Sequence, residues 1–467
     1  MKKYFFITLF FIISIFTYGN NIVKNDDIIF DDFTYSKSDE KIQKDLTIVQ
    51  ALKVSSIDPI FIKDIYSRRV ISLVYDTLFT MDNKKIVPLL VKDYKWKNEK
   101  ELYIKLKKDI YFHDGTLLTA NDVKNSLNRL KNESLLNIFY SDISDIKVLN
   151  NNELIIKTNS PDKNLIFNLS HEISSIVKKG KDKLVGTGPF YVDKFTNNSL
   201  DLKKFSNYFY NSDKLENIES VTFERGISPN QRMIALFNGD AQIALDINEN
   251  ELNTGKSYGI IDDTMVIEKS IDIDTLAIIF GNNLNLSYED KKIIESIVNK
   301  KADYFLPKEI LSPNLSKIDI NYNPDIIKKN LENSSLKGKT LNLMTLNTYH
   351  DIKEAEKIKT AFEKYGIRVN IFLTQIDSFY YKVENKDFDI ALYNFIINKN
   401  YPLISLAKIT LYDLKDEKMY NTLKDFIKKS RTEKNSNKEF DKTAKFMYDL
   451  LPYIPIEHTT SYIIKKI

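Results

Sequence analysis

Cysteine is absent from the 467 residues. That absence excludes disulfides, thiolate-held zinc or iron–sulfur centres and a thiol nucleophile. It also removes the lipid-modified cysteine that could tether an exported chain. Histidine is scarce: His113, His171, His350 and His458 are the only four. No two of them have the spacing of a helical two-histidine metal motif. With 12 Gly and 11 Pro, collagen-like and Pro-rich architectures are excluded. One-signed charge is missing as well. Lys+Arg 68 against Asp+Glu 64 leaves a formal +4, too little for a nucleic-acid surface by charge alone. No nucleic-acid partner is expected. After the first twenty residues, no apolar run is long enough to cross a bilayer.

What is present describes a folded chain. Hydrophobic residues make up 43% and charged residues 28%, with 28 Phe and 27 Tyr, more aromatic content than a disordered chain carries. The length suits two or three domains. Lys2 and Lys3 precede a nearly continuous apolar stretch from Tyr4 to Phe16, followed by Thr17-Tyr18-Gly19. This is the pattern of a secretory signal peptide over 1–19, cleaved after Gly19. The mature chain is expected to be exported, and periplasmic. Residues 20–45, rich in Asn, Asp, Lys and Ser, read as a flexible leader.

Folded patterning begins at Leu46-Thr47-Ile48-Val49, a short strand. Apolar spacing predicts a helix from Ile65 to Leu78. Leu102, Ile104 and Leu106 alternate with polar partners as a half-buried strand. Asp114-Gly115 supplies a turn, and Thr119 with Asp122 forms a T-x-x-D box opening a helix to about Leu130. Hairpins are predicted over 146–157 and 190–205. The second half alternates strands and helices. Leu341–Leu346 is a strand, and a helix through Ile352, Ala355, Ile358 and Phe362 is stopped by Gly366. Strands follow at 367–373 and 388–395, the latter apolar enough to be central. Helices near 417–430 and 438–450 precede two short strands. The pattern is two-lobed α/β.

Chemistry-bearing motifs are few. His113-Asp114 could be read as a catalytic dyad, but no G-x-S-x-G elbow accompanies it, and a strand–turn–helix corner reads as structural. Gly186-Thr187-Gly188-Pro189 lacks the Lys-Ser/Thr of a phosphate loop and reads as a tight crossing near a cleft. Asp272 with Asp274, and Asp387 with Asp389, are paired carboxylates at strand starts, to which no acid–base role is assigned. An exported hydrolase is therefore disfavoured, and binding without catalysis is expected.

A set of collinear motifs carries a family resemblance. Ile57-Asp58-Pro59, Leu73 to Phe79, and Ile86 to Leu90 come first. Tyr103 to Val123 follows, containing Phe112-His113-Asp114-Gly115-Thr116 and Leu118-Thr119-Ala120-Asn121-Asp122-Val123. Gly186 to Phe190, Met233 to Ala241, Ala361 to Val369, Phe388 to Leu392 and Leu451 to Ile456 then appear in order. Together they resemble the bacterial extracellular solute-binding proteins of family 5, the peptide- and nickel-type receptors of ABC importers. The resemblance implies a hinged, two-lobe type II periplasmic-binding-protein architecture with an extra N-terminal subdomain. It assigns 46–270 to the first lobe with its inserted subdomain, 271–452 to the second lobe, and 453–467 to a shortened return to the first.

The same resemblance implies a small peptide or similar solute as ligand, permease subunits as partners, a monomer, no cofactor and no protein metal ligand. A nickel or metal-chelate receptor, or a truncated relative repurposed at the surface or as a chaperone-like protein, are the alternatives. Candidate ligand contacts are Val54, Ser55, Gly188, Tyr393, Asn394, Phe395 and Asn398. Asn398 stands where peptide receptors of the family often carry an aspartate that pairs with the α-ammonium. A neutral amide can accept a hydrogen bond but supplies no ion pair, so a ligand lacking a free amino group is expected to suit this chain better.

Overall fold

The computed structural model describes residues 44–466, except 63, 83–84, 163, 182, 211–216, 227, 271–272, 299–305, 308–309, 311–322, 400, 414–416 and 433–435. The signal and leader expected over 1–43 lie outside the described residues, as does Asp272.

Two sheets dominate. The first has seven strands in the order Phe190–Phe195, Ser199–Lys204, Ser220–Arg225, Asp45–Gln50, Ile243–Ile247, Tyr462–Lys466 and Met265–Lys269. The second has five: Arg368–Thr374, Thr340–Leu346, Ile390–Ile397, Ile273–Phe280 and Tyr453–Thr459. A four-stranded antiparallel sheet, Val91–Asn98, Glu101–Leu106, Glu153–Thr158 and Ile143–Asn150, is inserted in the chain between strands of the first. The chain passes between the two large sheets twice, after Lys269 and after Thr459. These passages lie side by side, with Ser270 N donating to Ser461 O at 2.9 Å. The end of the chain is thus divided. Residues 453–459 complete the second sheet, and only Tyr462–Lys466 return to the first. The expectation that all of 453–467 returns is corrected: the apolar run Tyr453-Ile454-Pro455-Ile456 is buried as an edge of the five-stranded sheet.

The central strands Ile273–Phe280 and Ile390–Ile397 of the second sheet are buried on both faces, which explains their apolar sequences. Leu276, Ile278 and Phe280 belong to one core with Ile294, Phe362 and Ile454. Their alternates Ala277 and Ile279 belong to another with Tyr393, Phe395 and Tyr453. That second core runs without a break into the inserted sheet through Leu102, Ile104 and Ile156. The helix Pro402–Asp413 packs there against the short helical turn Leu135–Phe139. No expectation covered this helix.

Local signals explain the elements. In the Thr119–Asp122 box, Thr119 N donates to Asp122 Oδ2 at 2.8 Å and starts the helix Ala120–Glu133. Asp64 caps Ile65–Val74, accepting from Ser67 N at 2.6 Å. That helix stops at Val74 rather than Leu78, where the chain turns extended at Tyr75. Tyr349–Glu363 ends before Gly366, whose φ of 77° is the left-handed conformation a helix stop needs. No helix among the described residues is long and apolar enough to cross a membrane.

Candidate functional site

A cavity of about 570 Å³ lies between the two lobes. Both passages border it, through Lys269 and through Thr460 and Ser461. Its volume falls in the range that small ligands fill.

The first-lobe wall is built around Asp246. This residue holds a φ of 61° at a register shift in the strand Ile243–Ile247. Aspartate tolerates that conformation better than most residues, and the irregularity turns its carboxylate inward. The carboxylate accepts from Ala51 N at 2.9 Å and from Arg69 at 2.6 and 3.2 Å. Arg232, 3% exposed, donates to Asp246 O and Gly226 O, both at 2.7 Å. Burial alone would push the Asp246 carboxyl up. Arg69, Arg232 and the Ala51 amide together outweigh it and hold the group below the usual carboxylate range.

The second-lobe wall comes from the strand Ile390–Ile397, the helix Tyr349–Glu363 and the strand Tyr453–Thr459. Tyr393, Asn394, Phe395 and Asn398 all line the cavity. Asn398 is buried, and its backbone N donates to Ser405 Oγ at 3.1 Å. His350, Asp351 and Glu354 reach the cavity from the first turns of the helix, and Glu457 from the edge strand. His350 Nε2 lies 2.8 Å from Glu457 Oε1. The adjacent Glu457 carboxylate raises the imidazole above its usual value, against burial, which lowers it. Burial pushes the Asp351 carboxyl up to about 6.

Three of the four histidines, His171, His350 and His458, line this cavity. His458 Nδ1 is 2.9 Å from Thr275 Oγ1, and His171 Nδ1 accepts from Ile173 N at 3.2 Å. Acidic side chains on the walls (Asp64, Glu172, Asp246, Glu249, Glu251, Asp274, Asp351, Glu354, Glu457) outnumber basic ones (Arg68, Arg232, Lys269, Lys353, Lys357).

The other three sequence candidates lie off the cavity. Val54 is 3% exposed in the core of the first lobe. Ser55 Oγ donates to Asp64 Oδ2, and its backbone N to Ser67 Oγ at 3.0 Å, so it braces the helix cap. Gly188 is pressed on the end of that helix, where a Cβ would come within 2.5 Å of Val74 C and 2.6 Å of Leu73 O. Close backbone packing is what this glycine serves here. The His113–Asp114 pair is no dyad. His113 Nε2 bonds Gly188 O at 3.0 Å, while Asp114 accepts from Thr116 and Lys178. Asp389 Oδ2 accepts from Asn342 N at 2.8 Å, and Asp387 from Lys382 at 2.7 Å, both structural.

Sequence reasoning missed His350, Asp351, Glu354, Glu457, Arg232 and Asp246. One signal was available. His350-x-x-x-Glu354 places two ligand-type side chains on one helical face, a spacing the two-histidine motif does not cover.

Comparison with known proteins follows the same line. A model of the bacterial extracellular solute-binding proteins, family 5 middle, matches residues 85–409. The nickel-binding protein NikA of Staphylococcus aureus is 27% identical over 305 residues, 63% of this chain and 60% of that protein. The glutathione-binding protein GsiB of Pectobacterium atrosepticum is 24% identical over 307 residues, 60% of this chain and 58% of that protein. The chain thus matches about three fifths of the length of each curated relative. Among solved structures, the periplasmic binding protein DppA of Helicobacter pylori in complex with the peptide STSA superposes with a TM-score of 0.78 at 19% identity. That match covers 90% of this chain and 94% of that one. The fold is that of the type II periplasmic binding proteins, as expected.

Proposed function

Because this chain belongs to the bacterial extracellular solute-binding proteins of family 5, we propose that it is the solute-capturing subunit of an ABC importer. It takes an oligopeptide-like solute into the interlobe cavity, performs no chemistry on it, and delivers it to the permease as a monomer. The export signal read over 1–19, outside the described residues, belongs to the same proposal.

One observation carries it. The cavity has a wall from each large sheet, and among the described residues two adjacent chain passages join those sheets. A solute touching both walls has more contacts in the closed form than in the open one, and that difference in affinity drives closure. The wall offers amide, phenol, imidazole and carboxylate groups. Such a lining suits a polar solute bound through hydrogen bonds and bridging waters.

A second reading has its own observation. Three of four histidines facing one cavity favour a metal chelate more than the low histidine count suggested. Mass spectrometry of small molecules released on mild denaturation tests both. A thermal-shift screen of di- to pentapeptides and of nickel with free histidine complements it. A concentration-dependent rise is expected, because a ligand of the native state stabilises by mass action. Silence across both classes would favour the repurposed relative.

A further inference from the structure

We propose that His350, Glu354 and Glu457 form a protein-built site for one divalent cation of the zinc type in the second-lobe wall of the cavity. The inference goes beyond solute capture: the three donors belong to the protein, and the ion needs no solute to bring it.

The geometry comes first. One ligand-type atom from each of the three residues lies within 4.8 Å of the others. His350 and Glu354 stand four residues apart on Tyr349–Glu363, so one face of the helix presents both. Glu457 arrives from the edge strand. Leu276 pairs with Glu457 but Ala277 with Pro455, so Ile456 is an extra residue in that strand. Such a bulge re-aims the side chains beside it. Three bonds of about 2.1 Å to one ion need donors about 3–4 Å apart. Donors that already lie within 4.8 Å of one another are close to that spacing.

Charge points the same way. Glu354 and Glu457 are 5% and 4% exposed, and Asp351 beside them is 4% exposed. Three carboxylates withdrawn from water in one wall are costly unless compensated. His350 pairs with Glu457, and Lys357 with Glu354. Lys357 is itself half exposed, with 51% of its side chain open to solvent. A dication held by all three donors would place one central charge among these groups.

The donor set gives the class. One imidazole with two carboxylates suits zinc and its transition-metal neighbours, while magnesium prefers oxygen alone and keeps its waters. The cavity beside the three residues leaves room for water, or for a solute donor, in the remaining coordination position.

Isothermal titration of the chelator-stripped protein with zinc chloride tests the site. One zinc per chain is expected, and no saturable magnesium binding. His350→Ala, Glu354→Gln and Glu457→Gln should each weaken zinc at least about tenfold, since even outer-shell losses cost that much. Lys357→Met should tighten it about two- to fivefold by releasing Glu354 from an exposed pair. A gain of affinity cannot come from misfolding. Zinc heats that ignore all four substitutions, or no saturable heat at all, would overturn the site. In that case a peptide-induced thermal shift would leave the importer proposal standing. Zinc binding without any solute response would do the reverse.

Discussion

The Tyr401 hydroxyl lies 2.8 Å from Ser170 Oγ and 3.2 Å from Ser170 O, joining the second lobe to the segment that follows the inserted sheet. Tyr401 N also donates to Asn398 O at 3.0 Å, and its ring meets the edge of His171 at 4.7 Å. The contact therefore ties two cavity-lining residues, Asn398 and His171, to the joint between the second lobe and that segment. Tyr401→Phe and Ser170→Ala should each cost about 1 kcal/mol in urea unfolding. The double variant should cost less than the sum, because the two groups share one interaction. Strict additivity would show that the hydroxyls act independently.

Asp246 and Arg69 form an ion pair of 2.6 Å in the first lobe, and side-chain exposures of 17% and 13% keep water from screening it fully. Asp246→Asn keeps a residue that accepts the positive φ but strands the guanidinium. A loss of about 3 kcal/mol is expected. The folded carboxyl sits below its unfolded value. Its contribution is therefore complete above about pH 4 and fades as pH falls through the lower folded value. Denaturation of both forms from pH 7 down should show the gap closing only in acid. A gap constant across that range would assign the loss to something other than charge.

Much of the architecture was readable because it is local. The alternation in 102–106, the Thr119–Asp122 box and the apolar strand ending near Phe395 each announce themselves in a few residues. The cavity is not local. Glu457 reaches it through a bulge against Leu276, and Asp246 through a strained strand end. No window of sequence contains either relation. The helix Pro402–Asp413 escaped for a different reason. It is wedged between the second sheet and the inserted subdomain, so apolar residues surround it and no amphipathic period marks it. Val54, Ser55 and Gly188 sit beside a helix start and a helix end, where cap and close-packing demands resemble site signals.

Gly188 separates packing from binding. A methyl group there meets the backbone of Val74 and Leu73, and backbone cannot yield as a flexible side chain does. Gly188→Ala should lower stability by about 1–3 kcal/mol. The fraction that folds should keep its zinc affinity, measured by the same titration, because Gly188 touches neither cavity wall. A normal melting temperature would show that the helix end can shift to accept the methyl.

Asn398 offers the sharpest test of ligand chemistry. It lies on the cavity wall, 4% exposed, on the turn that leads from the central strand to Tyr401. An aspartate there would give a peptide's α-ammonium a charge-assisted bond of about 1.5–3 kcal/mol, roughly tenfold or more in affinity. The native amide forgoes that gain. The unmodified protein should therefore bind free and N-acetylated forms of one peptide with similar affinity by calorimetry, and Asn398→Asp should favour the free form. The competing possibility is visible in the same cavity, since Asp274, Glu172 and Asp246 also face it. Tight binding of the free peptide by the unmodified protein, lost on acetylation, would show that one of these carboxylates anchors the amino group and that Asn398 does not set the preference.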